Sequence, residues 1–136
     1  MRLFYYDENG DEVTTLICSP RSFITPFLSF INENKAKENT ECTTECEVLR
    51  ISKPRMASLI DQSEHFKKFS LIIFEQAMAF TEIRADDLAT LNAEQRYKKL
   101  LENCPSSMQN VPVQYIASFL GMKPESLSRI RCQMIK

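Results

Sequence analysis

Two glycines in 136 residues, Gly10 and Gly121, leave no material for a glycine-rich phosphate loop of the Walker or dinucleotide-binding kind. A single histidine, His65, gives hydrolytic triads and histidine-based zinc sites little to build on, and at the start of a helix it reads as a surface residue. No apolar run approaches the roughly 18 residues that a membrane span requires. The opening residues, MRLFYYDENG, lack the charged and apolar regions of an export signal, so a cytoplasmic protein without membrane partners is expected. The five cysteines are then expected as free thiols in a reducing compartment. Cys42 and Cys46 are separated by three residues rather than the two of a CxxC cluster, and Cys18, Cys104 and Cys132 are scattered, so no metal ligands are assigned. The paired carboxylates Asp86 and Asp87 lie beside Arg84 near a helix end and read as solvated charge. No catalytic constellation emerges; neither an enzyme nor a cofactor is expected.

What is present is an uneven division of charge. The net charge is −1, but residues 1–91 carry −5 and the remainder +4. Positive charge gathered at one end suits a phosphate-contacting head on an acidic body.

The pattern along the chain points to an α+β protein in three parts. In residues 2–17, the runs RLFYY and EVTTLI are rich in aromatic and β-branched residues, and Asp7-Glu8-Asn9-Gly10-Asp11 between them is turn chemistry; the expectation is a β-hairpin. The segment SFITPFLSFI, residues 22–31, reads as a loop and a short helix packed on a sheet. Residues 32–45 read as a polar surface loop, and CEVLRIS, residues 46–52, as a further strand with Val48 and Leu49 near the core. Lys53-Pro54 breaks that strand, and residues 54–61 read as a short helix. From Ser63 to about Leu91, Phe66, Phe69, Ile72, Ile73, Gln76, Phe80 and Ile83 recur at threes and fours without a glycine or proline. Such a helix runs about 40 Å. Its apolar stripe is too long for a body this small to cover, and a second copy of the same helix is the simplest partner, against the alternative of a helix packed only on its own domain. The expected parts are therefore residues 1–62, a long helix over 63–91 that joins a homodimer, and a head over 92–136. A new helix starts at Asn92-Ala93-Glu94 with Tyr97, Leu100 and Leu101 on one face, and Cys104-Pro105-Ser106 closes it.

Residues 113–134 carry the most information. Val113, Ile116 and Leu120 fall on one helical face, and Ala117 is small enough for a second helix to approach. Gly121 stands where the chain must turn, Met122 packs under the turn, and Pro124 opens a second helix whose inner face is Leu127 and Ile130. Lys123, Glu125, Ser126, Ser128, Arg129 and Gln133 are left facing outward, a set suited to base edges and phosphates of double-stranded DNA. Arg129 can pair with guanine through two hydrogen bonds, and Glu125, one turn away, can accept from cytosine or brace Arg129. Lys123 and Arg131 suit phosphates, as do Gln114 and Tyr115 on the first helix. A helical hairpin that only packs, in a protein-interaction module, would share much of this pattern.

The order of these parts, with the run AEQRYKKLLENCPSSMQNVPVQYIASFLGMKPESLSRIR, resembles the Crp/Fnr family of transcription regulators related to the catabolite activator protein. The resemblance implies a cyclic-nucleotide-binding-like β-roll, a dimerising helix and a C-terminal helix-turn-helix of winged-helix type. By the same resemblance Glu125 and Arg129 read base edges, and Ser126 and Ser128 lie near the DNA backbone. The chain begins partway into that roll, so a member lacking its N-terminal portion is expected, with unpaired strand edges; a remnant without function is the corresponding alternative. The family's phosphate-binding cassette places Gly-Glu where this chain has Thr25-Pro26, and an arginine where it has Lys35-Ala36-Lys37-Glu38-Asn39. Pro26 removes an N–H donor and the arginine is missing, so no response to cAMP is expected, and Lys35 and Lys37 read as solvated. Only Ile135 and Lys136 follow the second helix, which leaves wing contacts unsupported.

Overall fold

The computed structural model describes residues 1–104 and 110–134. The expected closure at Pro105-Ser106 and the terminal Ile135 and Lys136 lie outside the described residues. Among the described residues the fold is mixed α+β, a three-stranded antiparallel sheet with six helices, one of them long.

The chain opens with β1 (Arg2–Tyr6) and β2 (Glu12–Ile17), the two runs expected as a hairpin. Asp7 closes the turn between them. Its Oδ1 accepts from the Asn9 and Asp11 amides, both at 2.9 Å, and Gly10 takes the positive φ of 85° that the tight turn requires. A register shift between Leu3 and Phe4 marks a bulge in the pairing of β1 with β2.

The third strand is not where the alternation of CEVLRIS places it. Residues 46–52 hold no strand, and Val48 and Leu49, expected near the core, are 57% and 101% exposed. The free edge of β1 pairs instead with β3 (Asn39–Glu41), inside the stretch expected to be loop, giving the order β2-β1-β3. Glu41 on β3 reaches the Arg2 guanidinium, and this ion pair fastens β3 to the edge of β1.

Between β2 and β3 lies α1 (Phe27–Asn32), which begins after Pro26 and ends at Glu33 in the left-handed region. The segment was expected against the sheet, yet its aromatic contacts run to the long helix: Phe27 of α1 meets Phe74 edge-on at 5.9 Å, and Phe23 of the preceding loop meets Phe69 at 5.6 Å. The short helix α2 (Lys53–Gln62) carries Pro54 in its first turn, where the missing N–H has no intrahelical role. The long helix α3 (Glu64–Thr90) starts at Ser63, whose hydroxyl accepts from the Phe66 amide at 3.2 Å. One side of α3 stays open: Phe69, Ile72, Phe80 and Ile83 are all more than two-fifths exposed.

The head comprises α4 (Ala93–Asn103), α5 (Val113–Phe119) and α6 (Pro124–Met134). Asn92 and Gln95 cap α4 reciprocally, with side chain to backbone bonds of 3.0 and 2.9 Å. The main apolar core of the molecule sits among these helices, in Tyr97, Val111, Ile116, Ala117, Phe119, Leu120, Leu127 and Ile130, with Ile17 of β2 packed on its margin. Ile116, Ala117 and Leu127 are fully buried, as close crossing of α5 and α6 demands.

Candidate DNA-contacting surface

The turn between α5 and α6 is fixed by its own hydrogen bonds. Gly121 N–H donates to the Ser118 carbonyl and Met122 N–H to the Ala117 carbonyl, each at 3.0 Å, which is the pairing of a Schellman cap. Gly121 holds a φ of 66°, and Met122 packs onto the core beneath the turn. The Lys123 carbonyl then accepts from Ser126 and Leu127, so Lys123 stands at the mouth of α6 with Pro124 as its first residue.

This local geometry decides what α6 presents. Leu127 and Ile130 point into the core, and the opposite face carries exposed Glu125, Ser128, Arg129 and Gln133. Lys123 is exposed at the turn, whereas Ser126 and Arg131 are half-buried at the edges of the face. Glu125 and Arg129 are not joined to each other, and among the described residues none of Lys123, Arg129 and Arg131 has an ion-pair partner. Three cations are therefore unneutralised on one short element. The other cations of the head among the described residues are engaged. Lys98 pairs with Glu94 at 2.7 Å, Lys99 with Asp87 at 2.6 Å, and Arg96 donates to the Leu120 carbonyl at 2.9 Å and the Leu91 carbonyl at 2.5 Å.

One of these contacts revises the reading of Asp86-Asp87 as solvated charge, for Asp87 alone. Asp87 is a half-buried strut from α3 to Lys99 of α4. Arg84 lies over the Phe119 ring at 4.0 Å, and burial, reinforced by the nearby Arg96 charge, lowers its pKa from the ordinary arginine value. The end of α3 is thus held against α5 and the turn, and the orientation of α6 is tied to the long helix.

The first helix of the pair splits its expected contacts. Gln114 is exposed, but Tyr115 faces the hairpin, with the Arg2 guanidinium over its ring at 3.4 Å. Arg2 is the residue that sequence reasoning missed. It is 1% exposed and sits between the rings of Phe4 and Tyr115; its nitrogens donate to Glu41 at 2.6 Å, to Thr14 Oγ1 at 3.2 Å and to Glu12. Burial opposes its charge, but the bonds to Glu12 and Glu41 outweigh burial and hold its pKa above the ordinary value. Beside it, Ser118 Oγ accepts from the Thr14 amide at 2.9 Å and donates to the Glu12 carbonyl at 3.1 Å. Arg2 and Ser118 together rivet β2 to α5. A charged residue in the first strand gives no hint of this, because its partners other than Phe4 lie 10 to 113 positions away.

Arg2→Met keeps the apolar stem and removes the charge, leaving the fully buried Thr14 hydroxyl without its donor. Glu12 and Glu41 are partly exposed and regain water, which reduces the loss below that of a fully buried pair. The expected destabilisation is about 2–3 kcal/mol, read as a lower midpoint of urea unfolding at constant slope. An unchanged midpoint would show that the guanidinium contributes nothing to packing.

Among the described residues no three histidine, cysteine or acidic side chains group as metal ligands, and no helix is long and apolar enough to cross a membrane. Set against known proteins, the chain matches no family model, no curated protein and no solved structure.

Proposed function

We propose that the protein is a dimeric, sequence-specific DNA-binding transcription regulator of the Crp/Fnr type, with α6 entering the major groove and α5 crossing behind it as a helix-turn-helix. The observation that carries this reading is the outer face of α6, where exposed Glu125 and Arg129 stand one turn apart, unpaired, on a helix whose other side is fully buried. A helix that served only for packing would gain by neutralising such charges within the chain, as Lys98, Lys99 and Arg2 are neutralised. In this reading Arg129 and Glu125 address base edges, and Lys123, Ser126, Ser128, Arg131 and Gln114 address the sugar-phosphate backbone. Tyr115 contributes by orienting α5 through Arg2.

The open stripe of α3 supports the second half of the proposal. Phe69, Ile72, Gln76, Phe80 and Ile83 follow each other at intervals of three and four along a helix of 27 residues, the spacing of a two-stranded coiled-coil seam. Two copies joined there would present two α6 helices related by a two-fold axis, matching an inverted-repeat operator with half-sites about 34 Å apart. The sheet with α1 corresponds to the second half of a cyclic-nucleotide-binding-like roll. With Pro26 at the head of α1 and no arginine over residues 35–39, control by cAMP is not part of the proposal.

Affinity for duplex DNA measured against salt tests the reading. The logarithm of the association constant is expected to fall linearly with the logarithm of salt, with a slope of about −0.9 for each phosphate neutralised. Absence of binding even at low salt would favour a protein-interaction module.

A further inference from the structure

We infer that the hollow where the end of α3 meets α4 and α5 binds a small carboxylate with an apolar body, seated on the Arg84 guanidinium. The inference stands apart from DNA contact by α6. The hollow has a volume of about 270 Å³. Leu88, Leu100, Phe119 and Leu120 give it apolar walls, and Phe80 and Ile83 of the open α3 stripe line it as well. It reaches the turn before α6, since Leu88 Cδ2 stands 3.4 Å from the place a Cβ would take on Gly121. A volume a little below the roughly 300–1,000 Å³ of pockets for drug-sized ligands suits a single ring or a short alkyl chain rather than a nucleotide.

The polar lining carries an excess of positive charge. Arg84, Arg96 and Lys99 share the hollow with one acidic side chain, Asp87, which is already bonded to Lys99 at 2.6 Å. Arg96 is also engaged, through Nε and Nη1, by the Leu120 and Leu91 carbonyls. Arg84 differs. Its guanidinium lies over the Phe119 ring, and among the described residues its nitrogens have no hydrogen-bond acceptor and no ion-pair partner. Nor are those nitrogens sealed off, for among the described residues Ser70 Oγ alone is both buried and unbonded. A half-buried guanidinium thus keeps its donors free in a hollow that it lines.

These features select the ligand. A guanidinium offers paired N–H groups in a fixed fork, the geometry that a carboxylate accepts through both oxygens. Burial and the neighbouring Arg96 charge disfavour the Arg84 cation, and Asp87 offsets them only in part; a bound anion relieves both. Inorganic phosphate would leave the apolar walls unfilled. A neutral apolar molecule would leave the guanidinium without an acceptor. An aromatic acid or a short fatty acid satisfies both demands.

The probe is para-fluorobenzoate, titrated with the full chain and followed by its fluorine resonance. The wild type should shift and broaden that signal saturably, and hexanoate should displace the probe, whereas inorganic phosphate at the same concentration should not. The neutral para-fluorobenzamide should give no saturable response. Arg84→Met keeps a stem over Phe119 and should weaken binding about tenfold or more, the loss of a charge-assisted hydrogen bond. Leu88→Glu, at an exposed position one turn beyond Arg84, supplies a carboxylate from within the chain and should block the probe even if Arg84→Met fails to fold. Far-UV circular dichroism checks the fold of each variant. The inference is overturned if the wild type gives no saturable response, if phosphate displaces the probe as well as hexanoate does, if the benzamide binds equally, or if either folded variant binds the probe as the wild type does.

Discussion

Arg129→Ala is expected to erase the preference for an operator over random duplex while leaving the fold and the oligomer unchanged. The side chain is exposed and forms no ion pair, so its removal opens no cavity and strands no partner. Its contribution is expected to lie wholly in what it meets outside the chain. A guanidinium bonded to one guanine by two hydrogen bonds supplies about 1–3 kcal/mol of discrimination per half-site, and the two half-sites of a symmetric operator double it. The residual, sequence-independent binding should keep most of its salt dependence, because Lys123 and Arg131 remain. Competition between operator and random duplex reads the ratio directly. Undiminished operator preference would remove Arg129 from base recognition and with it the main support for α6 as the reading helix.

The second large effect belongs to α3. Replacing Ile72 and Ile83 together by glutamate is expected to convert a dimer into a monomer that still folds. Both side chains are more than half exposed, so a single copy loses little by their replacement. In a paired seam, four carboxylates would face each other and lose water without cations to receive them, a cost of several kcal/mol against a modest apolar interface. Sedimentation velocity separates the two outcomes. The monomer should also bind a single half-site and lose the gain of simultaneous engagement, commonly 10²-fold or more. A variant that stays dimeric, or a wild type that is monomeric at all concentrations, would show that the stripe serves another purpose.

Elements ruled by local chemistry were legible in the chain, and those ruled by distant partners were not. Aromatic and β-branched runs around Asp7–Gly10 placed β1 and β2 at their observed bounds, because the turn chemistry is contained in five residues. Ser63 marked the start of α3, Asn92 the start of α4, and Gly121 with Pro124 the passage from α5 to α6, each through a cap or a φ preference that acts within one turn. The strand expected at residues 46–52 failed for the opposite reason. Alternation states which face a strand would bury, but not which edge is free to pair, and that edge was taken by Asn39–Glu41 through Arg2. Arg2 itself, stacked on Tyr115, and Arg84, stacked on Phe119, are charged residues whose environment is made by rings far along the chain. No periodicity announces them. In the candidate surface, the outward set on α6 followed from helical spacing alone, whereas the loss of Tyr115 to the hairpin required the tertiary contact.

Repeated rounds of binding and amplification from a randomised duplex library, carried out with the purified full chain, test the central assignment most directly. The account predicts enrichment of an inverted repeat whose half-sites are centred about one helical turn apart, and a loss of that enrichment when Arg129→Ala replaces the wild type. A library that stays random through successive rounds, with protein that is folded and dimeric, would contradict it.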